Sequence, residues 1–204
     1  MGRDSGVDQS KRATLRRFAA LGAASPLVGL AGASESDSDA PEAIAGYVSA
    51  TPGAHFSKIR DDLKLGTGET QYHLRELTAA GVLESRKDGD YRRYFPTGRF
   101  DEFEQVALGY LRRETPRGLL ITLLESPETT AGEIAERLDV SRPTVSQCAA
   151  RLDEAGLLSR QDGYSITDPE TILLLCVRYD DSFGEDAATL AELAPELVEY
   201  TADR

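Results

Sequence analysis

The sequence predicts a mainly α-helical fold with small β-hairpin wings (α+β), organised as two tandem winged helix-turn-helix domains. One observation is that residues 55–95 hold two stretches with helical apolar spacing, followed by two strand-like stretches joined by an Asp-Gly turn. A second observation is that the same apolar and glycine landmarks recur further along the chain, where Gly156 aligns on Gly81 without a gap.

Two helices separated by a tight turn open the first unit. Their buried stripes are predicted to be Phe56, Ile59 and Leu63 in the first helix and Thr70, Leu74 and Leu77 in the second. Leu65-Gly66-Thr67-Gly68 interrupts the pattern between them, and Ala80-Gly81 ends the second helix. A helix, a Gly-containing turn and a second helix make a helix-turn-helix.

The next segment predicts a β-hairpin, or wing. Val82–Arg86 and Tyr91–Phe95 flank the turn Lys87-Asp88-Gly89-Asp90, and Pro96 closes the second strand. Tyr91 and Tyr94 are expected to cover the inner face of this hairpin, with stacking on bases as the alternative. Because the wing is basic, it can hold DNA phosphates while the second helix lies in the major groove.

The second unit repeats this order in a shorter form. It reads TAGEIAERLDVSRPTVSQCAARLDEAGLLSRQDGYSI, in which Ser141 is a predicted N-cap and Asp162-Gly163 turns a shorter wing. Val145, Ala149 and Leu152 are expected to face its core.

Both units resemble the winged helix-turn-helix transcription regulators of the MarR and ArsR kind, as met in haloarchaea. The resemblance covers roughly residues 41–167, and SRPTVSQCAARLDEAGLL is similar to the turn and recognition helix of that family. With the helix and wing pattern, it implies a sequence-specific DNA-binding transcription regulator whose partner is double-stranded DNA.

The candidate DNA-binding residues lie on the exposed faces of the predicted recognition helices and on the first wing. In the first unit they are Thr67, Gly68, Gln71, Tyr72 and Arg75 on the helix and Arg86, Lys87, Arg92 and Arg93 on the wing. Gln and Arg pair bidentately with adenine and guanine edges. Since Arg92 and Arg93 alternate along a strand, only one of them can point towards the groove.

The second unit presents Arg142, Ser146 and Gln147 at the corresponding positions. Ala150 replaces Arg75, and its wing has a single basic residue where the first wing has four. We therefore predict that the first unit is the main DNA reader and that the second supports, dimerises or senses.

We divide the chain into five segments. Residues 1–40 form a basic, signal-like segment with an acidic linker, 41–99 the first winged domain, 100–114 a connecting helix, 115–168 the second winged domain and 169–204 the C-terminal helices. A homodimer through the flanking helices is one arrangement, and the tandem repeat within one chain is another.

The composition is acidic, with a net charge of −12 and a pI near 4.7, although DNA is itself negative. Most of the acidic excess lies in residues 100–204, whereas residues 54–99 are nearly balanced. Only four of the 23 basic residues are Lys, a bias that resembles proteins of extreme halophiles. At about 1 M salt the Debye length is roughly 3 Å, so distant carboxylates repel DNA weakly.

No enzymatic, metal or cofactor site is predicted. The sequence has no paired-carboxylate motif, no nucleophile with a histidine partner and no phosphate-binding glycine loop. Cys148 and Cys176 lack neighbouring ligands at metal spacing and are interpreted as small buried residues, with a redox pair as the alternative. The sequence does not indicate an effector.

The N-terminal segment conflicts with a DNA-binding role. Residues 10–33 combine a basic start, an apolar Gly- and Ala-rich middle and the cleavage-like Ala31-Gly32-Ala33. Residues 10–16 resemble a twin-arginine signal in which Lys11 replaces the first Arg. One hypothesis is a retained tail on a cytoplasmic, DNA-associated protein. The other is a winged-helix protein-interaction module, membrane-tethered or exported through this segment.

Overall fold

The computed structural model describes residues 11, 13–20 and 39–202, with side chains up to residue 195. The signal-like features at residues 21–33 and the acidic linker at residues 34–38 therefore lie outside the described residues. The chain separates into two compact units, Met1–Phe100 and Asp101–Arg204. Among the described residues, no helix combines the length and the apolar character needed to cross a membrane.

The first unit is a winged helix-turn-helix, as the sequence predicted. After a helical segment at residues 13–20, its elements are α1 (Ala40–Ala50), β1 (Ala54–His55), α2 (Phe56–Leu63), α3 (Thr67–Ala79), β2 (Leu83–Asp88) and β3 (Tyr91–Pro96). The three strands form an antiparallel sheet in the order β1-β3-β2. The two-residue strand β1 has no periodicity of its own and was not predicted.

Local backbone chemistry sets the turn between α2 and α3. Lys64 ends α2 in the left-handed conformation, with φ 56°. The backbone N–H of Gly66 then donates to the Glu69 carboxylate at 3.2 Å, which satisfies one donor at the start of α3. The predicted stripe of Thr70, Leu74 and Leu77 is buried, as expected from its spacing.

The hairpin is longer than predicted, and its turn is shifted. Asp88 pairs with Tyr91, so only Gly89 and Asp90 form the turn, and Gly89 supplies the positive φ of 60°. The prediction that both tyrosines cover the inner face is wrong for Tyr91, which is exposed, whereas Tyr94 is buried. Residues three apart in a strand point to opposite faces, so only one of the two can lie inside.

The second unit contains nine described elements. They are α4 (Glu102–Leu111), α5 (Glu114–Glu125), α6 (Ala131–Arg137), α7 (Arg142–Glu154), β4 (Leu158–Ser159), β5 (Ser165–Ile166), α8 (Pro169–Arg178), α9 (Asp180–Phe183) and α10 (Glu185–Ala202). The last helix continues through Pro195.

Two arginines, Arg112 just after α4 and Arg117 in α5, hold the C-terminal helices in this unit. Arg112 donates to the Ser182 carbonyl at 2.6 Å and lies over the Phe183 ring at 4.4 Å. Arg117 donates to the Asp186 carboxylate at 2.8 Å. The C-terminal helices are thus packed parts of the second unit.

The backbone confirms the internal repeat. A shift of 75 residues, which places Gly156 on Gly81, superposes α7 on α3 from end to end. The same shift places Asp139, with φ 51°, on Lys64, with φ 56°. The two glycines also match, with φ values of 73° and 71°. Positive φ is uncommon outside glycine, so the shared Lys64 and Asp139 conformation marks one turn used twice.

Candidate nucleic-acid interface

Helix α3 presents one polar face above its buried stripe. The predicted contacts Thr67, Gly68, Gln71, Tyr72 and Arg75 are all exposed, as are Glu76, Thr78 and Ala79 of the same helix. Tyr72 is 54% exposed and the Arg75 side chain 73% exposed. Because the opposite side of the helix is fixed in the core, this face is held rigidly towards solvent.

Gln71 and Arg75 lie one helical turn apart on that face. The Arg75 guanidinium lies 5.9 Å from the Tyr72 ring centroid and 3.5 Å from the Glu76 carboxylate. An exposed ion pair of this kind is weak, so exchanging it for a base contact costs little. Gln71 and Arg75 together offer an amide and a guanidinium, the groups that recognise adenine and guanine edges.

Lys87 and Arg92 are exposed and lie opposite each other in the β2–β3 register. They share a face of the hairpin with Leu83 and Tyr94, which pack in the same core as Leu74 of α3. The side chains of Lys87 and Arg92 therefore project from the face of the hairpin against which α3 packs. Arg92 donates to Ser85 at 3.2 Å, and Arg86 is half-buried on the other face.

Arg93 does not belong to this surface. Only 3% of the residue is exposed, and its guanidinium pairs with the Asp88 carboxylate and donates to the Gly53 carbonyl at 2.9 Å. Strand alternation places it on the face opposite Arg92, where it lies between His55 and Arg86 in register. We therefore remove Arg93 from the predicted DNA contacts and assign it to holding the wing.

His55 connects the same wing to α2. Its Nδ1 accepts from the Lys58 backbone N–H at 3.3 Å, and its ring stacks on Tyr91 with centroids 4.8 Å apart. Burial, and then the neighbouring charges of Arg93 and Lys58, lower the pKa of His55. The neutral imidazole that accepts this hydrogen bond is thus the favoured form.

The corresponding surface of the second unit is less basic. Arg142, Ser146 and Gln147 are exposed on α7, and Ser141 caps the helix by accepting from the Thr144 N–H at 3.3 Å. Ala150 stands where Arg75 stands in α3, and each wing strand has two residues. The Arg142 guanidinium also packs over Gly132 of α6, where a Cβ would come within 3.1 Å of it.

Both cysteines are buried in the second unit. Burial raises the pKa of Cys148 to about 11 and that of Cys176 to about 12, which keeps both thiols protonated at neutral pH. This agrees with their interpretation as small buried residues. In the described part of the chain, no cluster of His, Cys, Asp and Glu is arranged to hold a metal ion.

One basic segment near α3 was missed as part of this surface. Lys11, assigned from sequence to the signal-like segment, forms an ion pair with Glu69 in the first turn of α3 at 3.3 Å. The spacing of Lys11, Leu15 and Phe18 along one helical face was the available signal.

Comparison with known proteins finds related domains. Residues 38–108 match a family model described as an N-terminal HTH domain, and residues 117–164 match the MarR family. An uncharacterized HTH-type transcriptional regulator of Methanocaldococcus jannaschii is 28% identical over 129 residues, which cover 63% of this chain. The chain spans about a third of that relative, since the match covers 32% of its length. No solved structure matches.

Proposed function

We propose that this chain is a sequence-specific DNA-binding transcription regulator whose first unit is the main DNA reader, a proposal supported by its matches to an N-terminal HTH domain and to the MarR family. The observation that carries the proposal is the placement of two exposed polar sets on one side of the first unit. Gln71 and Arg75 lie on α3, and Lys87 and Arg92 lie on the hairpin face against which α3 packs.

The two sets have different tasks in this proposal. With α3 in the major groove, Gln71 and Arg75 contact base edges, while Thr67, Gly68 and Tyr72 lie beside the sugar-phosphate backbone of the DNA. Lys87 and Arg92 bind phosphates and fix the register without reading sequence, whereas the predicted contact Arg86 lies on the other face of the hairpin. The core beneath α3 and the buried Arg93 contacts hold both surfaces before DNA arrives.

Charge distribution supports the first unit as the reader. The second unit carries most of the acidic excess, and its wing has only Arg160 as a basic residue. We propose that its roles are support and dimerisation, for which Leu174 of α8, 59% exposed, and Leu193 of α10, 38% exposed, offer apolar contacts. The proposal assigns the chain no catalytic activity and no cofactor, and places it with DNA inside the cell.

The acidic, Lys-poor composition supports a high-salt working environment, as in halophilic archaea. At about 1 M salt only groups within a few ångströms of each other interact strongly, so contact pairs decide affinity and the −12 net charge matters less. Binding measurements therefore need matched salt.

A selection of duplexes from a random double-stranded pool by the full chain tests this proposal. We expect one enriched site. Changing Gln71→Ala or Arg75→Ala should then cost about 1 to 3 kcal/mol at that site and relax preference at one or two base pairs. Arg178→Ala on α8 is the control for loss of an exposed arginine. A pool that yields no enriched site, or helix variants that keep full preference, would contradict the proposal.

A further inference from the structure

We propose that residues 11 and 13–20, here called the N-terminal arm, are an integral part of the first winged domain and bind the DNA backbone through Arg16 and Arg17. The inference rests on the proposed function. The family match begins only at residue 38, so this arm lies outside the matched domain. Its described residues are 11 and 13–20, which are helical.

The arm is docked through apolar contacts with α1. Leu15 is 8% exposed and belongs to the same core as Ile44 and Val48. Phe18 packs on this core and meets Tyr47 edge to face, with ring centroids 5.1 Å apart. Removal of the arm would expose this part of the core. Residues that sequence alone assigns to a signal-like segment are thus packed inside the domain.

The arm also reaches the recognition helix. Lys11 Nζ lies 3.3 Å from the Glu69 carboxylate, which also accepts from the Gly66 N–H at the start of α3. A carboxylate at this end of a recognition helix repels an approaching phosphate. Lys11 offsets that charge at contact distance, where salt screens least.

Helical spacing directs the arginines outwards. Lys11, Leu15 and Phe18 are four and three residues apart and form the docked face, so Arg16 and Arg17 fall on the exposed flanks. The Arg17 guanidinium lies 5.9 Å from the Phe18 ring centroid. Both arginines are exposed, and within the described ranges neither forms an ion pair with a carboxylate.

Double-stranded DNA fits this arm better than a lipid surface. A membrane-binding amphipathic helix must present its apolar face to lipid. Here Leu15 and Phe18 are already used in the domain core, and only the basic side is outside. A basic surface beside the first turn of a recognition helix matches the phosphates that flank a major-groove site.

Docking can be tested without DNA by limited trypsin digestion of the full chain. We expect the native protein to resist cleavage after Arg16 and Arg17, and Leu15→Ser to be cleaved there at least about tenfold faster because the arm is released. Ala20→Ser on the exposed side of the arm is the control and should digest like the unaltered protein. Equal cleavage of the unaltered protein and Leu15→Ser would overturn the docking.

DNA contact is tested with Arg16→Gln and Arg17→Gln, surface changes that leave the docked face intact. Each should weaken binding to the selected site and to random duplex equally, and flatten the slope of log affinity against log salt by about 0.9 for each phosphate that is no longer neutralised. Arg178→Gln in the second unit is the matched control. Arm variants that behave like Arg178→Gln, or that bind DNA more tightly, would overturn the inference.

Two further outcomes separate the explanations. If the full chain binds anionic phospholipid vesicles and both arm variants abolish this binding while DNA affinity is unchanged, the arm serves a membrane and the inference is wrong. If the full chain shows no preferred duplex, the proposed function fails and the DNA contact fails with it, whereas the trypsin result still reports docking. If the full chain selects a preferred duplex but the arm variants bind DNA like the unaltered protein, the inference fails and the proposed function stands.

Discussion

Arg92 and Arg93 are adjacent arginines whose roles are separated by strand alternation. Arg92 is exposed on the α3 side of the hairpin, and Arg93 is buried on the other side. A guanidinium is always charged, so burying it requires an ion pair and hydrogen bonds. Asp88 and the Gly53 carbonyl supply them to Arg93.

Replacing Arg93 should therefore change the stability of the fold, whereas replacing Arg92 should change DNA binding. Arg93→Ala leaves the Gly53 carbonyl and the Asp88 carboxylate without this partner and should lower the free energy of unfolding by about 2 to 4 kcal/mol. Arg92→Ala should leave unfolding unchanged within about 0.5 kcal/mol. It should instead weaken binding to all duplexes and flatten the salt slope by about 0.9.

Urea titrations of both variants and DNA titrations over a salt series measure these effects. The assignment fails if Arg93→Ala unfolds like the unaltered protein, or if Arg92→Ala loses preference for one base pair while its salt slope is unchanged.

Elements of the first unit are joined at His55, which caps α2 and stacks on Tyr91 of the wing. Arg93 and Lys58 face the ring as positive charges, and Asp61 faces it as the opposing negative charge. Protonation of Nδ1 would replace an acceptor with a donor and remove the cap. The wing and the helix-turn-helix thus share one titratable contact.

This contact predicts a pH dependence of stability. The pKa of His55 is lowered in the folded protein, so the unfolded chain binds more protons just below the ordinary value of about 6.5. The contribution of His55 is therefore present above about pH 6.5 and is lost as pH falls through the lowered folded pKa. His55→Asn keeps a capping acceptor and should remove this dependence.

Urea unfolding of both proteins between about pH 7 and 5 measures the effect, since most carboxylates titrate lower. Parallel stability curves for His55→Asn and the unaltered protein would show that this contact does not set the pH response.

In the whole molecule, one helix-turn-helix geometry appears twice with different surfaces. α3 and α7 correspond end to end, yet Arg75 is matched by Ala150 and the four basic residues of the first wing by one. Because the two units repeat one backbone but differ in their surface residues, we predict that they contribute unequally to the recognition of DNA sequence.

Matched variants in the two units test that share. The triple change of Arg142, Ser146 and Gln147 to Ala should keep base preference at the selected site and cost less than about 1 kcal/mol of binding. The double change of Gln71 and Arg75 to Ala should abolish preference at the base pairs they contact. Selection of duplexes by both variants measures the difference. Loss of the site in the triple variant alone would reverse the assignment of the units.

Local signals explain why much of the architecture could be predicted. Apolar spacing located α2, α3 and their buried stripe, and the repeat of those landmarks located α6 and α7. These features depend on residues within a turn or two of each other, where helical geometry leaves few alternatives. The polar face of α3 followed, because it is the side left over once the buried stripe is known.

The sequence by itself determined the two winged units, their helices and the candidate reading face, since periodicity and turn chemistry act over short distances. Only the tertiary structure decided which wing arginine is buried, because Gly53 and β1 reach Arg93 from outside the hairpin. It also decided that Leu15 and Phe18 pack on α1. Such pairings join residues that are distant along the chain. A side chain is buried only where those distant residues fill the core around it and satisfy its polar groups.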